Sequence, residues 1–173
     1  LTVGYLILEA VSVTVTEPQG ASQPARVIAY DHNTGFGLLR TARPLPVTPM
    51  RLGDSGALKV GSDIVVIGSG GMKNAIRAKV VARRDFAGYW EYLLPDAIFT
   101  QPLFRDFPGV ALIDTAGKLV GIGSLIVRDA MQQARMNPAN MFLPIEALKP
   151  ILGQLLATGR SQSPRRPWIG VYT

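Results

Sequence analysis

The sequence contains no cysteine, which excludes disulfides, thiolate nucleophiles and zinc–thiolate sites together. It contains one histidine, His32, so imidazole chemistry of any kind has a single candidate. Charge is sparse: 17% of the 173 residues are charged against 47% apolar, which excludes a disordered chain. The 18 glycines and 13 prolines follow no period, which excludes a collagen-like or low-complexity chain. No apolar run approaches the roughly 18 residues that a membrane-spanning helix needs. No signal peptide is visible, yet the chain opens at Leu1 inside an apolar run with no initiator methionine. Residues before Leu1, any targeting segment among them, are therefore expected. A cysteine-free chain suits reducing and oxidising compartments equally, so composition alone leaves the compartment open.

What remains is enough apolar material for one ordinary domain or two small subdomains with a real core. The net charge of +6, from 18 Lys+Arg against 12 Asp+Glu, raises the question of an acidic partner. Only Arg83-Arg84 and Arg165-Arg166 are adjacent basic pairs, and neither is interleaved with aromatics as a strand-stacking platform would be. A solvated basic surface is the more economical reading, and no nucleic-acid partner is expected.

Strand-like stretches rich in β-branched and aromatic residues recur at 2–8, 11–16, 25–30, 36–40, 63–68, 75–83, 89–94, 110–114 and 118–127. Val11-Ser12-Val13-Thr14-Val15-Thr16 alternates as a half-buried strand does. Turn chemistry separates the stretches at Glu17-Pro18-Gln19-Gly20, Asp31-His32-Asn33-Thr34-Gly35 and Asp114-Thr115-Ala116-Gly117, the last predicting a hairpin. One helix is predicted over 145–158, where Ala147, Leu148, Ile151, Leu152, Leu155 and Leu156 fall at helical spacing between Pro144 and Gly159. Pro150 suits that helix only in its first turn. The polar, proline-containing run 160–167 has linker composition, and the apolar 168–173 begins a further element. The fold class is all-β, with two small barrels of the trypsin-like kind and one C-terminal helix as the best fit.

The order of motifs resembles the trypsin-like protease domain of the HtrA family, nearly end to end. Leu1-Thr2 followed by Val13-Thr14-Val15 resembles the family's L-T-x-x-H-V-V run and the next strand. Residues 24–39, P-A-R-V-I-A-Y-D-H-N-T-G-F-G-L-L, are similar to P-A-x-V-x-x-x-D-x-x-x-D-L-A-V-L. The most specific match is 52–68, L-G-D-S-G-A-L-K-V-G-S-D-I-V-V-I-G, to L-G-x-S-x-x-L-x-V-G-x-x-V-x-A-I-G. The stretch 114–122 resembles the hairpin after the nucleophile loop, and Met141-Phe142-Leu143-Pro144-Ile145 the F-A-I-P-I that leads into the last helix. Arg166-Pro167-Trp168-Ile169-Gly170-Val171 looks like the start of a PDZ domain. The resemblance implies a trypsin-like double six-stranded barrel over 1–159, its first barrel N-terminally incomplete. The two subdomains fall roughly at 1–58 and 59–144, with helix 145–159, linker 160–167 and the start of a PDZ module at 168–173.

Peptidase chemistry on this scaffold requires a hydroxyl nucleophile, an imidazole to take its proton and a carboxylate to orient the imidazole. Carried across the resemblance, the imidazole falls on Tyr5, the carboxylate on Gly35 and the nucleophile on Pro108. A phenol of ordinary pKa about 10 is a poor general base at neutral pH. Gly35 has no side chain, and Pro108 has neither a hydroxyl nor a backbone N–H for an oxyanion. The family's G-N-S-G-G-P stands here as Asp106-Phe107-Pro108-Gly109-Val110-Ala111, with Asp106 at an oxyanion position. The stretch 96–117 is several residues longer than the family pattern, and no serine lies between Ser69 and Ser124.

Other candidates are weaker. Gly53-Asp54-Ser55-Gly56 looks like a nucleophile loop but lies on the L-G-x-S turn, too early and without a following Gly-Pro. His32, beside Asp31 in a polar turn, is most economically an exposed loop residue. Gly68-Ser69-Gly70-Gly71 lacks the Lys-Ser/Thr and the helix of a phosphate-binding loop. No metal-ligand spacing is present, and no cofactor is expected. Phe99, Phe104 and Phe107 with Leu103 are expected to cluster in the altered loop and pack into the former cleft, with a contact patch for a partner as the alternative.

The resulting expectation is an HtrA-like pseudoprotease with a polypeptide or protein partner, acting as scaffold, regulator or chaperone-like factor. Resemblance implies the bacterial periplasm or cell envelope, a trimer formed through N-terminal residues, and membrane association through the same residues. Two alternatives stand beside it: a serine hydrolase that pairs Ser124 or Ser55 with His32, and a basic adaptor for an anionic surface. An incomplete first barrel would also leave a strand edge open to pairing with another chain.

Overall fold

The computed structural model describes residues 1–88, 92–131 and 137–162. Four strands form the first unit: β1 (Thr2–Val3), β2 (Val13–Thr16), β3 (Ser22–Tyr30) and β4 (Phe36–Thr41). They make an open sheet in the order β1-β4-β3-β2, antiparallel throughout. The stretch predicted as one strand over 2–8 ends after Val3, and Gly4–Ile7 coils into a 3-10 turn. The turn is held by a tertiary contact: the Gly4 N–H donates to the Gly35 carbonyl at 2.6 Å, and only glycine fits there, since a Cβ would lie 2.0 Å from Cδ2 of Tyr30. Likewise β2 starts at Val13 rather than 11, since the Val11 side chain is fully exposed and has nothing to pack against.

Six strands form the second unit: β5 (Asp63–Ile67), β6 (Ala75–Gly88), β7 (Tyr92–Gln101), β8 (Ala111–Ile113), β9 (Leu119–Val127) and β10 (Ala139–Pro144). They close into a barrel in the order β10-β7-β6-β5-β8-β9, which leaves the unit with no sheet edge. Its interior is filled by Ile64, Val66, Ala78, Val80, Ile98, Phe104, Val110, Leu112, Val120 and Phe142. The strand β10 is absent from the sequence expectation. All six of its residues are buried, so the alternation that marks a half-exposed strand is missing. Strand β6 runs past Arg83 to Gly88 because its ladder with β7 continues to Gly88 opposite Tyr92, and both arginines on the way find acceptors. Arg83 binds the Ser55 and Leu58 carbonyls and Asp96, while Arg84 donates to the Ala130 carbonyl at 3.0 Å.

The helix α1 (Ile145–Thr158) has the predicted bounds. Gly159 ends it in the left-handed region (φ 73°), where its N–H donates to the Leu155 carbonyl at 3.0 Å. Pro150 lies beyond the first turn, contrary to the expectation. It sits on the exposed side of the helix, where water can satisfy the carbonyl left unpaired. A second core cluster joins the units: Val3, Ala29, Phe36 and Leu38 of the open sheet meet Leu94, Phe99, Met141 and Leu143 of the barrel and Ile145, Leu148 and Leu155 of α1. The linker and PDZ expectations over 163–173 lie outside the described residues.

Candidate functional site

The segments carrying Tyr5, Gly35 and Pro108 are drawn together by backbone contacts. Gly35 has φ 78°, which favours glycine, and closes the turn between β3 and β4. Its N–H donates to the Asp31 carbonyl at 2.8 Å, while Asp31 Oδ2 accepts from the Thr34 N–H and hydroxyl at 3.0 and 2.7 Å. The Gly4–Gly35 hydrogen bond then sets Tyr5 beside that turn. The loop of Pro108 arrives from the opposite side, since a Cβ on Gly109 would lie 3.2 Å from Thr2 Oγ1 and 3.7 Å from Leu6 Cδ1.

Strand β9 supplies the floor on which these segments meet. Tyr5 Oη donates to the main-chain carbonyl of Ser124 at 2.5 Å. The Gly109 N–H donates to the Gly123 carbonyl, and the Gly123 N–H to the Val110 carbonyl, both at 2.8 Å. Gly123 has to be glycine, because a Cβ would lie 2.1 Å from the Phe107 carbonyl oxygen. The loop is therefore laced onto β9 through the Gly109 N–H and the Val110 carbonyl, and that N–H is committed to the ladder. Asp106 and Pro108 are exposed, and Phe107 is half-buried. The geometry there brings together a phenol engaged with a carbonyl, a turn without a side chain and a proline.

The other candidate residues have structural work elsewhere. Ser55 is fully buried; its Oγ accepts from the Glu146 N–H at 3.1 Å, at the start of α1, and its carbonyl accepts from Arg83. That contact satisfies one of the open donors at a helix N-terminus. Asp54 caps the short 3-10 turn Ser55–Ala57, accepting from the Gly56 and Ala57 N–H groups at 2.9 and 3.2 Å. His32 is exposed and stacks on Tyr30 with ring centroids 4.0 Å apart; it hydrogen-bonds neither Ser55 nor Ser124. Ser124 is fully buried on β9. In the 68–71 turn, the Gly68 N–H is bound to the Asn74 carbonyl at 2.9 Å and the Gly71 N–H to the Gly68 carbonyl at 3.2 Å. Among the described residues, no three His, Asp or Glu side chains gather as metal ligands would.

The expected cluster of Phe99, Phe104, Phe107 and Leu103 is corrected in part. Phe99 belongs to strand β7, where the Arg84 guanidinium lies 4.6 Å from its ring centroid. Phe104 does pack inward, into the barrel, while Leu103 stays exposed. The residue that sequence reasoning missed is Asn140, fully buried on β10. Its side chain clamps Phe104, accepting from the N–H at 2.6 Å and donating to the carbonyl at 2.9 Å, and so anchors the start of the altered loop. A lone asparagine within the apolar run 139–145 was the available signal, because a polar group in such a run must find partners.

An open antiparallel sheet beside a closed six-stranded barrel, with a C-terminal helix wedged across both, is a trypsin-like architecture. The chain belongs to the trypsin-like peptidase domain family, whose model matches residues 1–122. Within it, the HtrA and DegP type is the one that its relatives share. A serine protease PepD of Mycobacterium tuberculosis is 27% identical over 86% of this chain and 34% of its own length. A probable periplasmic serine protease do/HhoA-like protein of Haemophilus influenzae is 25% identical over 99% of this chain and 36% of its own. The solved HtrA-type protease AlgW with tripeptide superposes with a TM-score of 0.72 at 22% identity, covering 92% of this chain and 52% of that one. The same protease with decapeptide gives 0.73 at 20% identity, over 91% and 48%. The chain thus spans about a third of the length of these curated relatives.

Proposed function

We propose that this domain is a member of the HtrA lineage that has lost peptidase chemistry and acts by binding protein or peptide. The observation that carries this reading is the Tyr5 phenol, committed to the Ser124 carbonyl where the resemblance places a catalytic imidazole. Gly35 and the exposed Pro108 on the neighbouring segments complete the loss of base, orienting carboxylate and nucleophile. The Gly109 N–H is taken up by the Gly123 carbonyl of β9 and the Val110 N–H by the Phe107 carbonyl, which supports a loop whose donors are already occupied rather than awaiting an acyl group. Polypeptide is the partner class this lineage supports, with a scaffolding, regulatory or chaperone-like role in envelope protein quality control. The periplasmic names of relatives motivate that compartment. On this reading the protease-fold unit occupies 1–159 in two subdomains, 160–167 is a linker and 168–173 opens a PDZ module. Assembly is trimeric, as the motif resemblance implies.

A fluorophosphonate probe tests the core of the proposal, because it labels an activated serine whatever its position. The expected result is no labelling of the folded chain under conditions that label a competent HtrA protease. Stoichiometric labelling of a single serine, abolished by its replacement with alanine, would overturn it and favour a rearranged hydrolase.

A further inference from the structure

The open sheet carries a charge arrangement that no ion pair among the described residues compensates. Arg26 on β3 and Arg40 on β4 are direct register partners, so two guanidinium side chains leave the same face side by side. Like charges directly opposed across a strand pair destabilise a sheet. The ion pairs among the described residues are Lys79–Asp63, Arg83–Asp96 and Lys149–Glu146, none of which involves either arginine. The neighbouring carboxylate of Glu17 is turned away. It accepts from Gln23 Nε2 at 2.9 Å, and Gln23 points to the face opposite Pro24 and Arg26. Further along, no acidic residue occurs between Asp31 and Asp54, while Arg40, Arg43 and Arg51 do.

The pair also lines a concave feature. Arg26 and Arg40, with Pro24, Ala25, Thr41 and Ala42, border a groove of about 390 Å³. Its wall is fixed by the Ala42 N–H, which donates to the Pro24 carbonyl at 3.0 Å, and by the Arg43 N–H on Gln23 Oε1 at 2.8 Å. Two guanidinium side chains rooted on paired positions of adjacent strands and lining one groove carry several N–H donors between them, a donor set that suits a tetrahedral oxyanion better than a single ammonium would. We propose that this groove is a binding site for a phosphate group, whose negative charge relieves the Arg26–Arg40 repulsion on binding. That chemistry is shared by a free phosphate and a phospholipid headgroup.

The test follows the arginine Nε–Hε NMR signals of the whole chain during titration with inorganic phosphate. In parallel, sedimentation is measured with vesicles of phosphatidylglycerol and phosphatidylcholine against phosphatidylcholine alone. The expected result is saturable binding in at least one arm, weakened about tenfold by Arg26→Gln or Arg40→Gln and unchanged by Arg77→Gln on the barrel. Saturation by free phosphate identifies a soluble ligand, and binding confined to the anionic vesicles identifies the headgroup. Arg40→Glu separates site loss from misfolding: it creates an opposite-charge pair with Arg26, so the melting temperature should rise while binding disappears. Linear, unsaturated shifts in every variant, or equal losses in Arg77→Gln, would overturn the proposal.

Discussion

The barrel of β5 to β10 and the sheet of β1 to β4 solve the same burial problem in different ways. The barrel closes on itself and surrounds its own apolar interior, so its strands are stabilised from within. The sheet stays open among the described residues and buries Val3, Ala29, Phe36 and Leu38 by leaning them on the outside of the barrel and on α1. One unit is therefore self-contained, and the other borrows its core. The cleft segments lie where the borrowing unit meets its lender, which is why a phenol on the first can reach a carbonyl on the second.

The largest expected effect comes from Phe36→Ala. Phe36 is fully buried in the shared core, and removing such a ring costs about 3–5 kcal/mol. Hydrogen exchange should show protection lost first in β1, β3 and β4 while the barrel amides of β5, β8 and β9 stay protected. Equal loss in both units would break the comparison. A smaller, opposite effect is expected inside the barrel unit. Thr100 on β7 is fully buried with its hydroxyl unpartnered, and Thr100→Val removes a polar group whose burial costs about 1–3 kcal/mol. Chemical denaturation should show a gain of that order, with barrel amides gaining protection and sheet amides unchanged. The smallest effect is expected from Tyr5→Phe, which deletes the donor to Ser124 and costs about 0.5–1.5 kcal/mol. It should loosen β1 and the loop near Gly109 without changing the barrel, and it leaves fluorophosphonate labelling absent. A uniform loss across both units would show that the contact does not act as a latch between them.

Much of this was legible locally. The bounds of α1 follow from Pro144, Gly159 and a helical apolar spacing, all of which are properties of neighbouring residues. The hairpin after β8 follows from its D-x-x-G turn, which the Asp114 side chain closes by accepting from the Ala116 and Lys118 N–H groups at 2.9 and 2.8 Å. Strand β10 was illegible because burial on both faces erases the period of two. The bend at Gly4 was illegible because its partners, the Gly35 carbonyl and the Tyr30 ring, lie far along the chain. Of the cleft, the residue types at 5, 35 and 108 stand in plain view, but their partners do not. Nothing near Tyr5 in the chain points to a carbonyl on β9, and nothing near Ser55 points to the first turn of α1.

By itself, then, the amino-acid order determined the strand-rich class, the single helix and the absence of cysteine and of a second imidazole. These depend on composition, period and turn chemistry, which are local. The tertiary structure alone decided that Tyr5 closes on Ser124, 119 residues away, that Ser55 caps a helix and that Arg26 stands against Arg40. Each of those requires a strand register or a packed interface, and register is settled only when distant segments compete for the same buried surface.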